Sequence, residues 1–426
     1  MNRSVWIINH FATGPGRHEF FARELAKRGW EVKVFAASFL HNLYRDLIRY
    51  PRRRNHLPED RGAFTRVWVR TPSYQRNDWK RILNHLSFTW RVFSAGRNME
   101  PPGLIIGSSA HLLAAVAAFC LARRFRVPFI FEVRDFWPQS LVDMGVLSGQ
   151  SPVTGALKRL ELFLYSRAAK IISVVPLGEE YIAALGQPRE KVVYIPNGTD
   201  PAWFDRCAGS VSPAPGMRRF FSDCRERGKL VFIYAGAHGP ANGLETVVET
   251  AGLLQDRGRT EILFLMVGDG PAKTPLVRQA QKNRLSNLFF WPTVAREQIP
   301  ALLSNSDVCL FHARELPVLR FGLSAGKFFD YLASGKPILY AASTTSGTLA
   351  GVPCGKSVPP GDPVALAAAA LELAEMTPAQ REQMGRAGRR HLEEHHSAPV
   401  LVDKLEAALG QVQGDKKTPG RNNKGA

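Results

Sequence analysis

The sequence predicts an α/β protein of two domains, each built on a parallel sheet. The chain has 426 residues, which is long for a single core, because hydrophobic cores stop growing at roughly 250–300 residues. Short apolar runs alternate with helical periods, as in parallel sheets. Two such series at 1–205 and 229–390 flank a Pro- and Gly-containing linker at 206–228, and a C-terminal helix at 391–412 precedes a disordered tail at 413–426.

The composition restricts the partners. Lys and Arg number 56 against 37 Asp and Glu, a formal net charge of +19, which favours a polyanionic partner such as a nucleic acid, an anionic lipid surface or a phosphate-bearing substrate. The sequence contains no zinc-finger, RNP or helix-turn-helix signature, so we expect no nucleic acid. The five scattered cysteines form no C-x-x-C pair, which predicts a reducing cytoplasm. No apolar run reaches the ~20 residues of a spanning helix.

Residues 41–100 are the most basic part of the chain. Beyond an arginine triplet at 52–54, apolar residues recur at helical spacing. They are Trp79, Ile82, Leu83, Leu86, Trp90 and Phe93. This stripe predicts either a helix that lies on an anionic membrane or a helix that packs the stripe into the core. The arginine triplet can contact lipid in both cases.

The segment 324–338 has the pattern of a loop, a helix, a tight turn and a strand. In a helix that begins near Gly326, Lys327 and Asp330 lie on one face beside free backbone N–H groups. A carboxylate for ribose hydroxyls and a cation and amides for phosphates suit a nucleotide diphosphate. The alternative is an ordinary amphipathic helix with a solvated Lys/Asp pair.

Two further segments are predicted to lie at the carboxyl ends of strands, where parallel sheets bind ligands. Gly14 and Gly16 follow the first strand, and glycines there allow backbone N–H groups to approach a phosphate, although many α/β proteins turn this way for packing alone. Glu132, Arg134 and Asp135 follow a later apolar strand. The alternative for the last two is an ion pair that holds their loop.

Several motifs resemble those of retaining family 4 glycosyltransferases. Segment 324–338 resembles S-P-x-K-x-x-[ED]-Y-x-A-x-G-K-P-[IV], segment 196–200 resembles P-N-G-x-D, and segment 358–363 resembles V-P-P-G-D-P. Segment 132–138 is similar to the E-x-R-D-x-W-P form of the O-antigen fucosaminyltransferase (WbuB-like) subgroup. The resemblance implies the GT-B fold, in which two Rossmann-like domains face each other across a cleft and the helix at 391–412 packs back on the first domain.

The resemblance also implies a donor site. Asp330 corresponds to the second acid of the E-x7-E signature, which binds ribose. Gly322 stands where the signature has its first glutamate. Glu315, seven residues earlier, is the candidate to take over the role of that glutamate. Ala237 and Asn242 stand near the places of two diphosphate-binding cations. The donor-binding residues implied are Gly14, Gly16, Arg17, His18, Gly236, His238, Gly239, Glu315, Ser324, Lys327 and Asp330.

The reaction implied by the resemblance is transfer of a sugar, an N-acetylated or deoxy hexosamine, from a UDP-linked donor with retention of the anomeric configuration. Glu132, Arg134 and Asp135 are the implied catalytic residues on the acceptor side, with Arg134 where relatives carry a His. No D-x-D occurs, so we expect no required metal and no cofactor. The implied acceptor is a polyprenyl-diphosphate-linked saccharide at the inner membrane face, in O-antigen, lipopolysaccharide or capsule assembly, which predicts a cytoplasmic, peripherally membrane-associated enzyme. The alternatives are a soluble acceptor, a GT-B sugar-nucleotide epimerase and a noncatalytic polyanion-binding protein.

Overall fold

The chain folds as two units. The computed structural model describes residues 2–41, 44–75, 78–342, 349 and 351–414. Unit 1 comprises Met1–Pro196 with Ala398–Ala426, and unit 2 comprises Asn197–Ser397. Residues 415–426, most of the predicted tail, lie outside the described residues, whereas 413 and 414 end a helix.

Unit 1 contains an eight-stranded sheet of order β10-β9-β8-β7-β1-β2-β6-β5, parallel except at its β5–β6 edge. Its strands are β1 (Ser4–Ile8), β2 (Glu31–Ala37), β5 (His56–Asp60), β6 (Thr65–Val69), β7 (Leu104–Ser108), β8 (Phe129–Val133), β9 (Lys170–Ser173) and β10 (Val192–Tyr194), and β3 (Phe39–Leu40) pairs separately with β4 (Arg45–Asp46). Its helices are α1 (Arg17–Lys27), α2 (Trp79–Gly96), α3 (Leu112–Phe125), α4 (Gln139–Asp143), α5 (Pro152–Arg167) and α6 (Gly178–Ala184). The central strands are buried along their length, as expected for a parallel sheet covered on both faces.

Unit 2 contains a six-stranded, fully parallel sheet of order β13-β12-β11-β14-β15-β16. Its strands are β11 (Leu230–Ala235), β12 (Ile262–Val267), β13 (Leu288–Trp291), β14 (Val308–His312), β15 (Ile338–Ala341) and β16 (Gly355–Val358). Its helices are α7 (Pro201–Ser210), α8 (Pro215–Glu226), α9 (Glu245–Asp256), α10 (Lys273–Lys282), α11 (Ile299–Asn305), α12 (Gly326–Ala333), α13 (Pro363–Glu375) and α14 (Pro378–His395). Two Rossmann-like parallel sheets are the architecture that the sequence predicts.

The predicted linker at 206–228 is instead largely helical, because α7 and α8 occupy it. Proline opens both helices, where its missing N–H leaves no hydrogen bond unmade. The side chain of Asp200 caps α7 by accepting hydrogen bonds from two backbone N–H groups. Phe221 and Cys224 of α8 are buried in the core of unit 2. The prolines therefore mark helix starts and not a break in the fold.

The C-terminal helix α15 (Ala398–Gly414) belongs to unit 1. Leu401, Leu405 and Leu409 share a core with Phe21 and Leu25 of α1. This confirms the predicted return of the last helix to the first domain, although the helix begins seven residues later than expected.

Helix α2 exposes the stripe that the sequence analysis identified. Trp79, Ile82, Leu83, Leu86 and Trp90 are all exposed, and only Phe93 is partly buried. The residues buried on α2 include Phe88 and Val92 on its other face. Packing of the stripe into the core is therefore wrong. Among the described residues, no helix combines the length and apolar character that crossing a bilayer requires.

Candidate active site

In unit 2 the strand order changes direction between β11 and β14. The crevice beyond the carboxyl ends of two such strands is the usual ligand site of an open parallel sheet. The loop that begins at Gly236 follows β11, and His312 ends β14. Lys327, in the first turn of α12, extends its side chain to this point.

Lys327 supplies a cation there. Its Nζ donates hydrogen bonds to Tyr234 Oη at 2.5 Å and to Asn242 Oδ1 at 2.9 Å, and lies 4.2 Å from the centroid of the Tyr234 ring. Burial lowers the pKa of Lys327 to about 7. Among the described residues no carboxylate forms an ion pair with it, so an anionic ligand would supply the missing counter-charge.

The loop before α9 is shaped to receive this lysine. The imidazole of His312, which is 1 % exposed, donates from Nδ1 to the backbone oxygen of Asn242 at 2.7 Å. Gly243 has φ +57, and a Cβ there would lie 2.9 Å from His312 Cε1, so only glycine fits. Asn242 stands near the place where the family pattern has a diphosphate-binding cation. It accepts a hydrogen bond from Lys327 of α12, so Lys327 brings a positive charge to that place.

His238 belongs to this loop, and its side chain is buried. Its side chain is 0 % exposed, neither ring nitrogen has a hydrogen-bond partner among the described residues, and its ring stacks 5.8 Å from that of Tyr234. Burial lowers its pKa to about 4, so it is neutral near pH 7. The structure therefore places the His238 side chain in the interior, where it is not exposed to a phosphate. Gly236 and Gly239 are partly buried in the same loop, and a Cβ on Gly236 would lie 3.1 Å from Lys327 Nζ.

Asp330 is held by a different partner from those of Lys327. It is 5 % exposed, and its Oδ1 accepts a hydrogen bond from Arg296 Nη2 at 2.7 Å. The guanidinium of Arg296 in turn lies 4.9 Å from the centroid of the Trp203 ring. The predicted Lys327/Asp330 pair is thus replaced by two separate polar contacts of α12. Sequence reasoning missed Arg296 and Trp203, since neither belongs to a periodic or glycine-rich pattern.

The remaining candidates of unit 2 differ in placement. Ser324 is held by Asn197, whose backbone N–H donates to Ser324 Oγ at 3.1 Å and whose side chain donates to the Ser324 carbonyl at 2.5 Å. The P-N-G-x-D motif therefore anchors the loop before α12. Glu315 is exposed, and no described hydrogen bond or ion pair joins it to Lys327 or Asp330.

In unit 1 three candidates form a buried network in place of a substrate surface. Arg17 Nε donates to Glu132 Oε1 and His18 Nε2 donates to Glu132 Oε2, both at 2.7 Å. Their exposed fractions are 6, 4 and 2 % for Arg17, His18 and Glu132. Burial alone would raise the pKa of Glu132, but His18 and Arg17 hold it well below its ordinary value. Arg17 also donates to the Ile195 carbonyl at 2.9 Å and to that of Pro196. The predicted cleft-facing positions of Arg17 and His18 are therefore corrected to a buried, structural placement.

Other candidates of unit 1 remain accessible. Arg134 is partly buried and Asp135 is exposed just beyond β8. The backbone N–H of Arg134 donates to Ser109 Oγ at 2.8 Å, and among the described ion pairs none joins Arg134 to Asp135. Gly14 and Gly16, in the loop between β1 and α1, have no atom within 4 Å of a Cβ position, so space for a ligand exists beside them.

A histidine cluster lies where the strand order of unit 1 changes direction, between β1 and β7. The backbone N–H of Ala114 donates to His111 Nδ1, so His111 Nε2 carries the proton and donates to His10 Nδ1 at 3.0 Å. His85 of α2 stacks on His111 with centroids 3.9 Å apart. Burial lowers the pKa of His10 and His111 well below the ordinary value, and that of His85 to about 4. A histidine two or three residues beyond the end of each of two central strands is the sequence signal for this cluster.

These histidines do not form a metal site. Among the described residues, no group of three or more His, Cys, Asp or Glu side chains is arranged to hold a metal ion. Both ring nitrogens of His111 and Nδ1 of His10 are used in hydrogen bonds. The lowered pKa values of the two residues keep their rings neutral near pH 7.

Comparison with known proteins identifies both units. Residues 14–198 match the glycosyl transferase 4-like domain, and residues 229–376 match the domain of glycosyl transferases group 1. A relative is the putative colanic acid biosynthesis glycosyl transferase WcaI of Escherichia coli (strain K12). It is 28 % identical over 315 residues, which cover 71 % of this chain and 74 % of the relative.

Solved structures share the whole fold. Sucrose-phosphate synthase (tll1590) from Thermosynechococcus elongatus matches with a TM-score of 0.71 at 19 % identity, over 97 % of this chain and 99 % of that one. Anabaena Alr3699/HepE in complex with UDP-glucose matches with a TM-score of 0.64 at 12 % identity, over 96 % and 99 %. These likenesses confirm the predicted GT-B fold class. With a glycosyl transferase 4-like domain followed by a group 1 domain on this fold, the chain belongs to the glycosyltransferases.

Proposed function

We propose that the protein is a retaining glycosyltransferase of family 4. It moves a sugar, an N-acetylated or deoxy hexosamine, from a UDP-sugar to a polyprenyl-diphosphate-linked saccharide in O-antigen, lipopolysaccharide or capsule assembly. The observation that carries the proposal is Lys327 at the carboxyl ends of β11 and β14, a buried lysine that forms no ion pair within the described part of the chain. The UDP-glucose named for the HepE structure and the colanic acid role named for WcaI support this choice of donor and pathway.

The donor diphosphate accepts hydrogen bonds from Lys327 and from the free N–H groups at the start of α12. Asp330 holds the ribose through Oδ2, the oxygen outside its contact with Arg296. As the bond to the anomeric carbon breaks, negative charge grows on the leaving phosphate, and Lys327 stabilises it without a metal. The leaving phosphate oxygen takes the proton of the acceptor hydroxyl, which attacks from the same face, so the configuration is retained.

The acceptor lies on the side of unit 1, near Arg134 and Asp135. Both are accessible beyond β8, whereas Glu132 is enclosed by Arg17 and His18. Glu132 therefore acts as a positioning residue that holds the strand end from which Arg134 and Asp135 project. The lipid part of the acceptor places the enzyme at the cytoplasmic face of a membrane, in keeping with its net charge of +19.

The test is transfer from a panel of UDP-sugars to polyprenyl-diphosphate-linked saccharides, with and without EDTA. We expect transfer with retained anomeric configuration and the same rate in EDTA. Loss of transfer in EDTA would refute the metal-independent mechanism. Formation of a new sugar nucleotide without an acceptor would indicate an epimerase, transfer only to soluble saccharides would change the acceptor class, and nucleotide binding without turnover would indicate a noncatalytic protein.

Asp330→Ala tests the ribose contact separately. We expect about a 10–100-fold weaker affinity for UDP by titration calorimetry, because a charge-assisted hydrogen bond is lost. Asp256→Ala removes an exposed carboxylate of α9 and serves as the matched control. Equal UDP affinity in the two variants would remove Asp330 from the donor site.

A further inference from the structure

The outward surface of α2 carries a set of large apolar side chains that no described element covers. Its exposed fractions are 63 % for Trp79, 59 % for Ile82, 44 % for Leu83, 47 % for Leu86 and 67 % for Trp90. We call these five residues the outer face of α2. Their spacing keeps them on one side of the helix. Exposed apolar residues that form one contiguous stripe mark an interaction surface, whereas scattered ones do not.

The opposite side of the same helix already forms part of the core. Phe88 and Val92 are fully buried there, and α2 packs against α3. The outer face is therefore additional to what folding of unit 1 requires. Five large apolar side chains in water contribute nothing to folding stability, whereas burying them against a partner would be favourable. The outer face is therefore a surface for a binding partner.

Basic residues border the outer face. A groove of about 710 Å³ beside the end of α2 is lined by Arg53, Arg54, Arg91 and Trp90, and by no acidic residue. We call it the arginine groove. Among the described ion pairs, none includes any of these three arginines. Trp90 belongs to both the groove and the outer face, so cationic and apolar surfaces are continuous.

The apolar outer face and the basic arginine groove together favour one class of partner. Within α2 itself the charged residues are Lys80, Arg81 and Arg91, and all are basic. Tryptophans near both ends of the stripe suit the headgroup level of a bilayer, where an indole can be apolar on one side and hydrated on the other. A second copy of the chain suits the surface poorly, because the charged residues of its α2 are the same basic ones and offer no acidic complement.

We propose that the outer face of α2 lies in the interfacial layer of an anionic phospholipid bilayer and that the arginine groove holds headgroup phosphates. Apolar insertion and attraction to anionic headgroups are the two contributions that bind a basic amphipathic helix to a membrane. The surface is defined by residues that take no part in the proposed transfer reaction. It therefore deepens the membrane location given in the proposed function, on which it rests, but its test requires no transfer activity.

The test is flotation of the full chain with vesicles, without donor or acceptor. One set is phosphatidylcholine alone, and the other is three parts phosphatidylcholine to one part phosphatidylglycerol. We expect binding to the anionic set that weakens as salt is raised. Trp79→Ser/Leu83→Ser/Trp90→Ser should weaken that binding by about tenfold or more. Arg53→Gln/Arg54→Gln should weaken it by about 30-fold at low salt, since each basic residue near the surface contributes roughly fivefold.

Matched controls come from unit 2. Phe289→Ser/Val364→Ser removes side chains that are 37 and 54 % exposed, and Arg278→Gln/Lys282→Gln removes two exposed charges. Both controls should float like the unaltered protein, and circular dichroism should show that every variant is folded. Absence of binding to anionic vesicles, or equal binding by test and control variants, would overturn the proposal. So would a concentration-dependent dimer in sedimentation that only the outer-face variant abolishes.

Discussion

Replacement of Lys327 by methionine is the most direct perturbation of the candidate donor site. Methionine keeps much of the side-chain volume but removes the charge and the hydrogen bonds to Tyr234 and Asn242. Because burial lowers the pKa of Lys327 to about 7, the lysine carries its charge only about half the time at neutral pH when no ligand is bound. An anionic diphosphate restores the charge, so donor binding takes up a proton.

The magnitude follows from that pKa. Above pH 7 the affinity for a UDP-sugar should fall about tenfold per pH unit, since the protonated fraction falls by that factor. At pH 8 binding should take up about 0.9 protons. Lys327→Met should lose about 10–100-fold in affinity at pH 7, the value of a charge-assisted hydrogen bond, and should lose the pH dependence with it.

The stability of the same variant should move in the opposite direction. The folded protein releases the Lys327 proton near pH 7, whereas an unfolded lysine does so near pH 10.4. The cost of burying the charge is therefore largest below pH 7 and disappears as the pH rises toward the unfolded value. Lys327→Met should raise the free energy of unfolding at pH 7 by about 1–3 kcal/mol.

Titration calorimetry with a UDP-sugar between pH 7 and 8.5, in buffers of different ionisation enthalpy, measures affinity and proton uptake together. A UDP-sugar is preferable to UDP because its diphosphate keeps a constant charge in this range. Lys282→Met, an exposed substitution in α10, should reproduce the behaviour of the unaltered protein. A pH-independent affinity in the unaltered protein, or an unchanged slope in Lys327→Met, would show that Lys327 does not receive the diphosphate.

Two further predictions concern unit 1. Glu132→Ala should lower the free energy of unfolding by about 3–5 kcal/mol in urea, because Arg17 is left buried without its counter-charge; lost transfer at unchanged stability would instead give Glu132 a direct role in the reaction. Acidification should destabilise the protein between pH 6.5 and 4.5, because His10, His85 and His111 have depressed pKa values when folded and take up protons more readily when unfolded. His85 alone should contribute up to about 2–3 kcal/mol, so urea titrations of His85→Phe should show a flatter pH dependence, and an identical one would place its pKa near the ordinary value.

The alternation of strands and helices was readable in the sequence because buried parallel strands form continuous apolar runs. Short motifs also located the loop before α12 and the strand end after β8. The contacts that individual polar side chains make could not be predicted from the sequence. Spacing placed Lys327 with Asp330, but Tyr234 and Arg296, far away in the sequence, decide where each of them points.

Two other differences have similar causes. Arg17 and His18 begin a helix after a glycine loop, a position typical of ligand contacts, yet a single carboxylate at Glu132 draws both inward across 114 or 115 positions of sequence. Pro213, Pro215 and Gly216 suggested a linker because proline and glycine are common in loops, yet Pro215 opens α8. Proline is equally suited to the first turn of a helix, and burial of the residues that follow decides between the two.

Helix α15 makes unit 1 discontinuous along the chain. Its leucines complete a core with α1, but they are synthesised only after all of unit 2. On the ribosome, residues 1–196 must therefore wait with an apolar surface open until the last part of the chain emerges, a state in which nascent chains are prone to associate. A fragment ending at Pro196 would retain that defect permanently, so expression of the first unit alone calls for a fusion that supplies residues 398–414 in the same polypeptide.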